Sequence, residues 1–175
     1  MQKILKKYDS LLHVIGIAEL GLGIICLFAI VLFIFSQVVS RYVFNKPLVW
    51  VEELSTYCFI WAVYLGTAYA LIKGRHIRVT TLIDMFPRIV QEVLAIFTYV
   101  CLMFFLIVLV RNGIKQVIFE GPQHTIALPV RLPRKYFYSI PFVVSCVSML
   151  FTSIYLFLNQ VYELFTRSPH QRMAQ

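Results

Sequence analysis

Charge is what this sequence has least of. Only 14 % of its 175 residues are Asp, Glu, Lys or Arg, while 60 % are hydrophobic, and the mean hydropathy is +0.80. A soluble domain ordinarily carries about 25 % charged and about 45–50 % apolar residues, so the composition excludes an ordinary soluble fold and indicates an integral membrane protein. Reactive motifs are also missing. There is no phosphate-binding glycine loop, no HExxH and no GxSxG, so nothing points to an enzyme or to a bound cofactor. The four cysteines, Cys26, Cys58, Cys101 and Cys146, form no CxxC pair and fall about one per apolar run, so neither a disulfide framework nor a zinc site is suggested. The four histidines, His13, His76, His124 and His170, all lie outside the uncharged runs. A membrane haem subunit needs imidazoles inside its bundle. The net charge of +8 is spread along the chain, which fits contact with anionic headgroups of the lipid bilayer and not a nucleic-acid patch.

Long hydrophobic runs are what remains. Leu20–Ser40, Leu54–Ile72, Val93–Val110 and Tyr136–Tyr162 contain no Asp, Glu, Lys or Arg over 21, 19, 18 and 27 residues. Crossing about 30 Å of hydrocarbon at 1.5 Å per residue takes roughly 20 residues. The expected fold is therefore an all-α integral membrane protein of four transmembrane helices, near 12–40, 50–72, 89–110 and 136–160, in a single membrane domain over 1–175. The basic start resembles a signal peptide, but Glu19 interrupts a run that is too long for one, so a retained first helix is expected. With the N-terminus inside, nine Lys and Arg lie on the cytoplasmic side against seven outside, and the positive-inside rule then puts both termini in the cytoplasm.

Between the runs, "KGRHIRVTTLIDMFPR" reads as a short interfacial helix ended by Pro87. Beyond Val110 the polar Arg111, Asn112, Lys115 and Gln116 alternate with Ile114, Val117 and Ile118, an amphipathic extension of helix three that Gly121-Pro122 stops. Ala62, Gly66 and Ala70 recur every four residues on helix two, a face on which another helix can approach closely. Ser145, Ser148 and Thr152 offer a softer version on helix four. Helix three shows no such face and is expected to meet lipid or a bulky partner.

The most polar stretch, "RYVFNKPLVWVEEL", joins helices one and two. Arg41 can snorkel to the headgroups, Asn45 can cap helix two, Trp50 suits the interfacial belt, and Glu52 and Glu53 sit near the positive end of the helix dipole. An Arg41 pair with Glu52 or Glu53 across the turn is expected. Glu19 is the one acidic residue that could enter a span, and a four-helix exporter would couple protons through such a carboxylate. Counting from Leu11 instead places it near a membrane face. A membrane anchor of a redox complex is the other alternative.

"RYVFNKPLVWVEELSTYCFIWAVYLGTAYALIKGRHIRV" closely resembles the small membrane (Q) subunit of tripartite ATP-independent periplasmic (TRAP) transporters. The matching positions are Arg41, Tyr42, Phe44, Asn45, Trp50, Glu52, Glu53, Leu54, Gly66, Gly74, His76 and Ile77. In "ALPVRLPRKYFYSIP" they are Leu128, Pro129, Tyr136 and Pro141. The resemblance implies a subunit of the bacterial inner membrane with both termini cytoplasmic. Its partners would be a large membrane subunit (M) and a periplasmic substrate-binding protein (P). It would act as a scaffold in the sodium-driven import of an organic acid, such as a C4-dicarboxylate or sialic acid, and could help to dock the binding protein.

Overall fold

A computed structural model describes residues 2–73 and 87–166. Four long helices account for most of them: α1 (Gln2–Tyr42), α2 (Val49–Lys73), α3 (Arg88–Phe119) and α4 (Ser139–Thr166), with one 3-10 turn at Arg134–Tyr136. All four are long and apolar enough to cross a membrane. The amphipathic extension of the third helix is present, since α3 runs unbroken to Phe119 and Glu120 caps it. The interfacial helix expected after Lys73, with His76, falls on residues outside the described ones.

α1 and α2 run antiparallel, and α1 buries one stripe, Leu12, Gly16, Glu19 and Gly23, with the two glycines against α2 and Leu12 and Glu19 against α4. This three-and-four spacing keeps one face of a helix toward its neighbour. Gly16 admits Ile72 and Tyr69, which would stand 3.2 and 3.4 Å from any Cβ there, and Gly23 faces the Ala62 carbonyl at 4.0 Å. α4 is the hub, packing against each of the other three helices. It reaches α2 through the Ser145 hydroxyl, which donates to the Tyr64 carbonyl at 2.7 Å. It meets α1 where Tyr8 stacks on Tyr155 with ring centroids 5.7 Å apart. Ser145, Ser148, Thr152 and Ser153 of α4 are all buried, so the small hydroxyl face expected on this helix is its packing face. Lipid tails are as apolar as leucine, so membrane helices gain stability from close backbone approach, which small residues permit.

The third helix departs from expectation, because it does have a close-packed face. Leu106, Gly113 and Glu120 are buried, and half-buried Tyr99 precedes them at the same seven-residue spacing. A Cβ on Gly113 would lie 2.8 Å from Val143 Cγ2 and 3.0 Å from the Phe142 ring. Along the expected stripe on α2 only Ala62 is buried; Gly66 and Ala70 are exposed, and a Cβ on Gly66 would meet nothing within 4 Å. Within this chain the close contacts therefore fall to Gly16, Gly23 and Gly113 instead of Gly66.

The two glycines separate cleanly by experiment. Gly113→Ala must displace Val143 or Phe142, an overpacking that costs about 1–3 kcal/mol. We expect it to lower the thermal midpoint of the purified protein in detergent, while Gly66→Ala leaves it unchanged or slightly raised. Equal midpoints for the two variants would refute the α3–α4 contact.

Candidate functional site

The polar groups gather at the end of the bundle that holds both the α1–α2 turn and the loop between α3 and α4. Asn45 does not cap α2. It adopts φ 52°, a left-handed conformation that Asn tolerates better than most residues. There it closes the end of α1, where the Lys46 N–H reaches the Ser40 carbonyl at 3.1 Å and the Ser40 hydroxyl donates to the Lys46 carbonyl at 2.6 Å.

Glu53, one turn into α2, is the centre of this end. Its Oε1 accepts the backbone N–H of Ile126 at 3.1 Å, and its Oε2 accepts those of Ala127 at 2.6 Å and Leu128 at 2.9 Å. The Tyr57 hydroxyl, one turn further along the same face, also donates to Oε1. Three successive N–H groups make a concave anion cradle, and donation to an ionised acceptor strengthens each bond. Tyr57 is buried, stacks on Phe137 with centroids 4.2 Å apart and meets Tyr138 edge-on at 5.5 Å. The carboxylate thus joins α2 to the loop from below while the aromatic ring joins it from the side.

The loop is also clamped at its neck. Thr125 N–H donates to the Leu132 carbonyl at 3.0 Å and Arg134 N–H to the Gln123 carbonyl at 2.9 Å. The Thr125 hydroxyl donates to the Val130 carbonyl at 3.0 Å. A second carboxylate repeats the device: Glu120 accepts from the Gln116 amide at 3.1 Å and from the Ser139 hydroxyl, tying the end of α3 to the start of α4. Neither Glu120 nor Ser139 stood out in the sequence. The available signal was that Glu120 is the only acidic residue between Val93 and Tyr162.

The expected Arg41–Glu53 pair does not form, because both Glu53 oxygens are taken by the loop and Tyr57. Arg41 lies instead 5.9 Å from the centroid of the Tyr42 ring. It shares a cleft with Glu52, and no ion pair joins the two among the described residues. Trp50 is partly exposed at the start of α2. Glu19 is 5 % exposed, and its Oε2 has no hydrogen-bond partner. It faces Ser148 of α4, whose hydroxyl is likewise unpartnered. Ser148 lies one residue from the midpoint of the uncharged run 136–162. Among the described residues no cluster of His, Cys, Asp or Glu could hold a metal ion.

Four membrane-length helices, closed at one end by carboxylate-held turns, define a multi-pass all-α membrane protein. The family model described as the DctQ component of tripartite ATP-independent periplasmic transporters matches residues 30–163, and the chain belongs to that family. It is accordingly a component of an inner-membrane transport system and not an enzyme. A TRAP transporter small permease protein of Haemophilus influenzae is 37 % identical over 89 residues, covering 51 % of this chain and 55 % of that one. The C4-dicarboxylate TRAP transporter small permease protein DctQ of Vibrio cholerae is 31 % identical over 81 residues, 46 % of this chain and 35 % of that one. The sialic acid TRAP transporter permease protein SiaT of Haemophilus influenzae is 31 % identical over 75 residues, 41 % of this chain and 12 % of that one. The chain thus matches little more than half the length of the first of these relatives, and less of the others.

Removing the carboxylate leaves three amides to find new partners. Bonds to a charged group contribute about 1.5–3 kcal/mol each in net terms. We expect Glu53→Ala to raise amide hydrogen exchange at Ile126–Leu128 by more than tenfold, the factor that ~1.4 kcal/mol gives. Exchange at mid-α4 amides serves as the internal control. Unchanged exchange in the loop would show that the Thr125 neck alone holds it.

Proposed function

We propose that this chain is the small membrane subunit of a TRAP importer for an organic acid driven by a sodium gradient. In this reading it packs beside a large transport subunit as a fixed scaffold, with both termini cytoplasmic. The loop over 123–136 then lies in the periplasm and forms part of the surface on which the binding protein docks. C4-dicarboxylates and sialic acids are the substrate classes suggested by the names of the relatives.

The observation that carries the scaffold role is continuity. Each spanning helix runs unbroken through its apolar segment, whereas substrate and ion sites in secondary transporters are built at broken helices near the midplane. Rigidity of the loop supports the docking role, since a surface held by Glu53 and Thr125 is ordered before a partner arrives. Arg131, Arg134 and Lys135 make this region basic, and Ile126 and Val130 are exposed beside them. The exposed Gly66 and Ala70 offer a smooth face for a helix of the large subunit.

One observation favours a second reading, in which the chain itself couples transport to protons through Glu19. A buried carboxylate with an unpartnered oxygen is a functional candidate by default in a membrane. Reconstitution decides between the two. We expect no organic-acid uptake by the chain alone in liposomes under a sodium gradient, and uptake once the large subunit and binding protein are present. In that full system Glu19→Gln should slow transport less than about tenfold, a loss of under ~1.4 kcal/mol in the barrier. Gly66→Leu should lower the yield of assembled complex without unfolding the small subunit. Uptake by the chain alone, or its abolition by Glu19→Gln with assembly intact, would favour the second reading. Orientation is checked by reporter fusions: those at Lys46 and Gln123 are expected to read periplasmic and those at Arg75 and Ser168 cytoplasmic. The inverse pattern would remove the docking loop from the periplasm.

A further inference from the structure

The end of α1 and the start of α2 leave a cleft of about 610 Å3 between them. Its deep walls are apolar, with Ile30 and Ile34 from α1 and Phe59 from α2. Its rim carries Gln37 and Arg41 on one side and Glu52 on the other. Ile30 lies 11 residues from Arg41, or roughly 16 Å along the helix, so the apolar wall descends well into the hydrocarbon below a charged mouth. Arg41 and Glu52 are both exposed and front one opening, with no ion pair joining them among the described residues, and Arg41 lies 5.9 Å from the centroid of the Tyr42 ring.

Two opposite charges held apart at one mouth fit a ligand that is itself zwitterionic. Guanidinium matches phosphate oxygens in a fork geometry, and a carboxylate suits a protonated primary amine. An extended acyl chain is thin enough to follow the apolar wall from Ile30 to the rim.

We propose that this cleft is a binding site for an aminophospholipid of the phosphatidylethanolamine class. Arg41 and the Gln37 amide hold the phosphate, Glu52 holds the ammonium, and one acyl chain lies along Ile30, Ile34 and Phe59. The site does not depend on the transport reading, because it needs only this chain in a bilayer.

The test uses the full chain, with any subunit that co-purifies, and native mass spectrometry in mixed phosphatidylethanolamine and phosphatidylglycerol of matched acyl chains. Retained phosphatidylethanolamine should exceed phosphatidylglycerol on the order of fivefold, the scale of one exposed charge pair. Arg41→Gln should lower retention of both lipids by a similar factor. Glu52→Gln should abolish the preference while leaving phosphatidylglycerol retention unchanged, and Ile34→Trp should displace both lipids by filling the groove. Lys115→Gln, on α3, should change nothing. Equal retention of the two lipids, a preference that survives Glu52→Gln, or full competition by millimolar inorganic phosphate would overturn the proposal. So would cross-linking of a cysteine placed at Thr56 to a protein partner in place of lipid.

Discussion

The fold turns on one carboxylate and three amides. The segment from Gly121 to Tyr138 must carry the chain from α3 to α4, and its backbone has no ladder of its own beyond the short neck at Thr125. Three successive N–H groups at its tip need an acceptor, and Glu53 supplies both oxygens. That bond fixes the loop to α2, 73 residues away in the chain. α4 emerges from the loop already aligned beside α2, and the Tyr57–Phe137 stack sets the first point of contact. From there the Ser145–Tyr64 bond and the Tyr64–Phe142 ring pair continue the same register down the two helices. Since α4 is the element that touches all three others, an error in its entry would propagate through the bundle.

Below that end the problem changes from satisfying polar groups to gaining contact. Helices in lipid have no water to escape, and dispersion improves only when backbones approach. The chain meets this with glycine on α1 and α3 and with hydroxyls on α4. Ser145 and Thr152 resolve their polarity by donating to carbonyls, across to Tyr64 and back to Ser148 respectively. Ser148, Ser153 and Glu19 leave buried polar atoms without partners. Unpartnered polar atoms buried among packed helices are a cost to stability, and at these residues the structure departs from pure packing.

The four helices were legible because a membrane forbids charge over about 20 residues, and that constraint is written directly in the sequence. The partners of Glu53 were not, because they are backbone amides, and no residue letter marks a backbone donor. Arg41 was close in sequence and carried the opposite sign, so a charge pair was the natural expectation, yet geometry gave the carboxylate to a distant loop. The small-residue face on α1 was hidden for another reason. Nearly every residue around Gly16 and Gly23 is apolar, so no contrast in hydrophobicity reveals which side is buried. On α3 the seam of Tyr99, Leu106, Gly113 and Glu120 mixes four chemistries at a seven-residue spacing and leaves no periodic signal. The burial of Glu19 was hidden as well, because the sequence does not show that α4 brings Ser148 against it.

The way the carboxylates are satisfied bears on what such a subunit can do. Exposed ion pairs between long side chains are weak, screened by salt and free to exchange partners among rotamers. Glu53 and Glu120 are held instead by amides, hydroxyls and a carboxamide. Backbone amides cannot swing away without moving the chain, and Tyr57 is fixed by its buried ring. A closure of this kind resists deformation because each donor belongs to an element that is itself packed. Unbroken helices beneath it transmit load without a hinge, and motion in transporters is concentrated at hinges and broken segments. The same residues that let the chain fold therefore suit it to the scaffold role we propose for it.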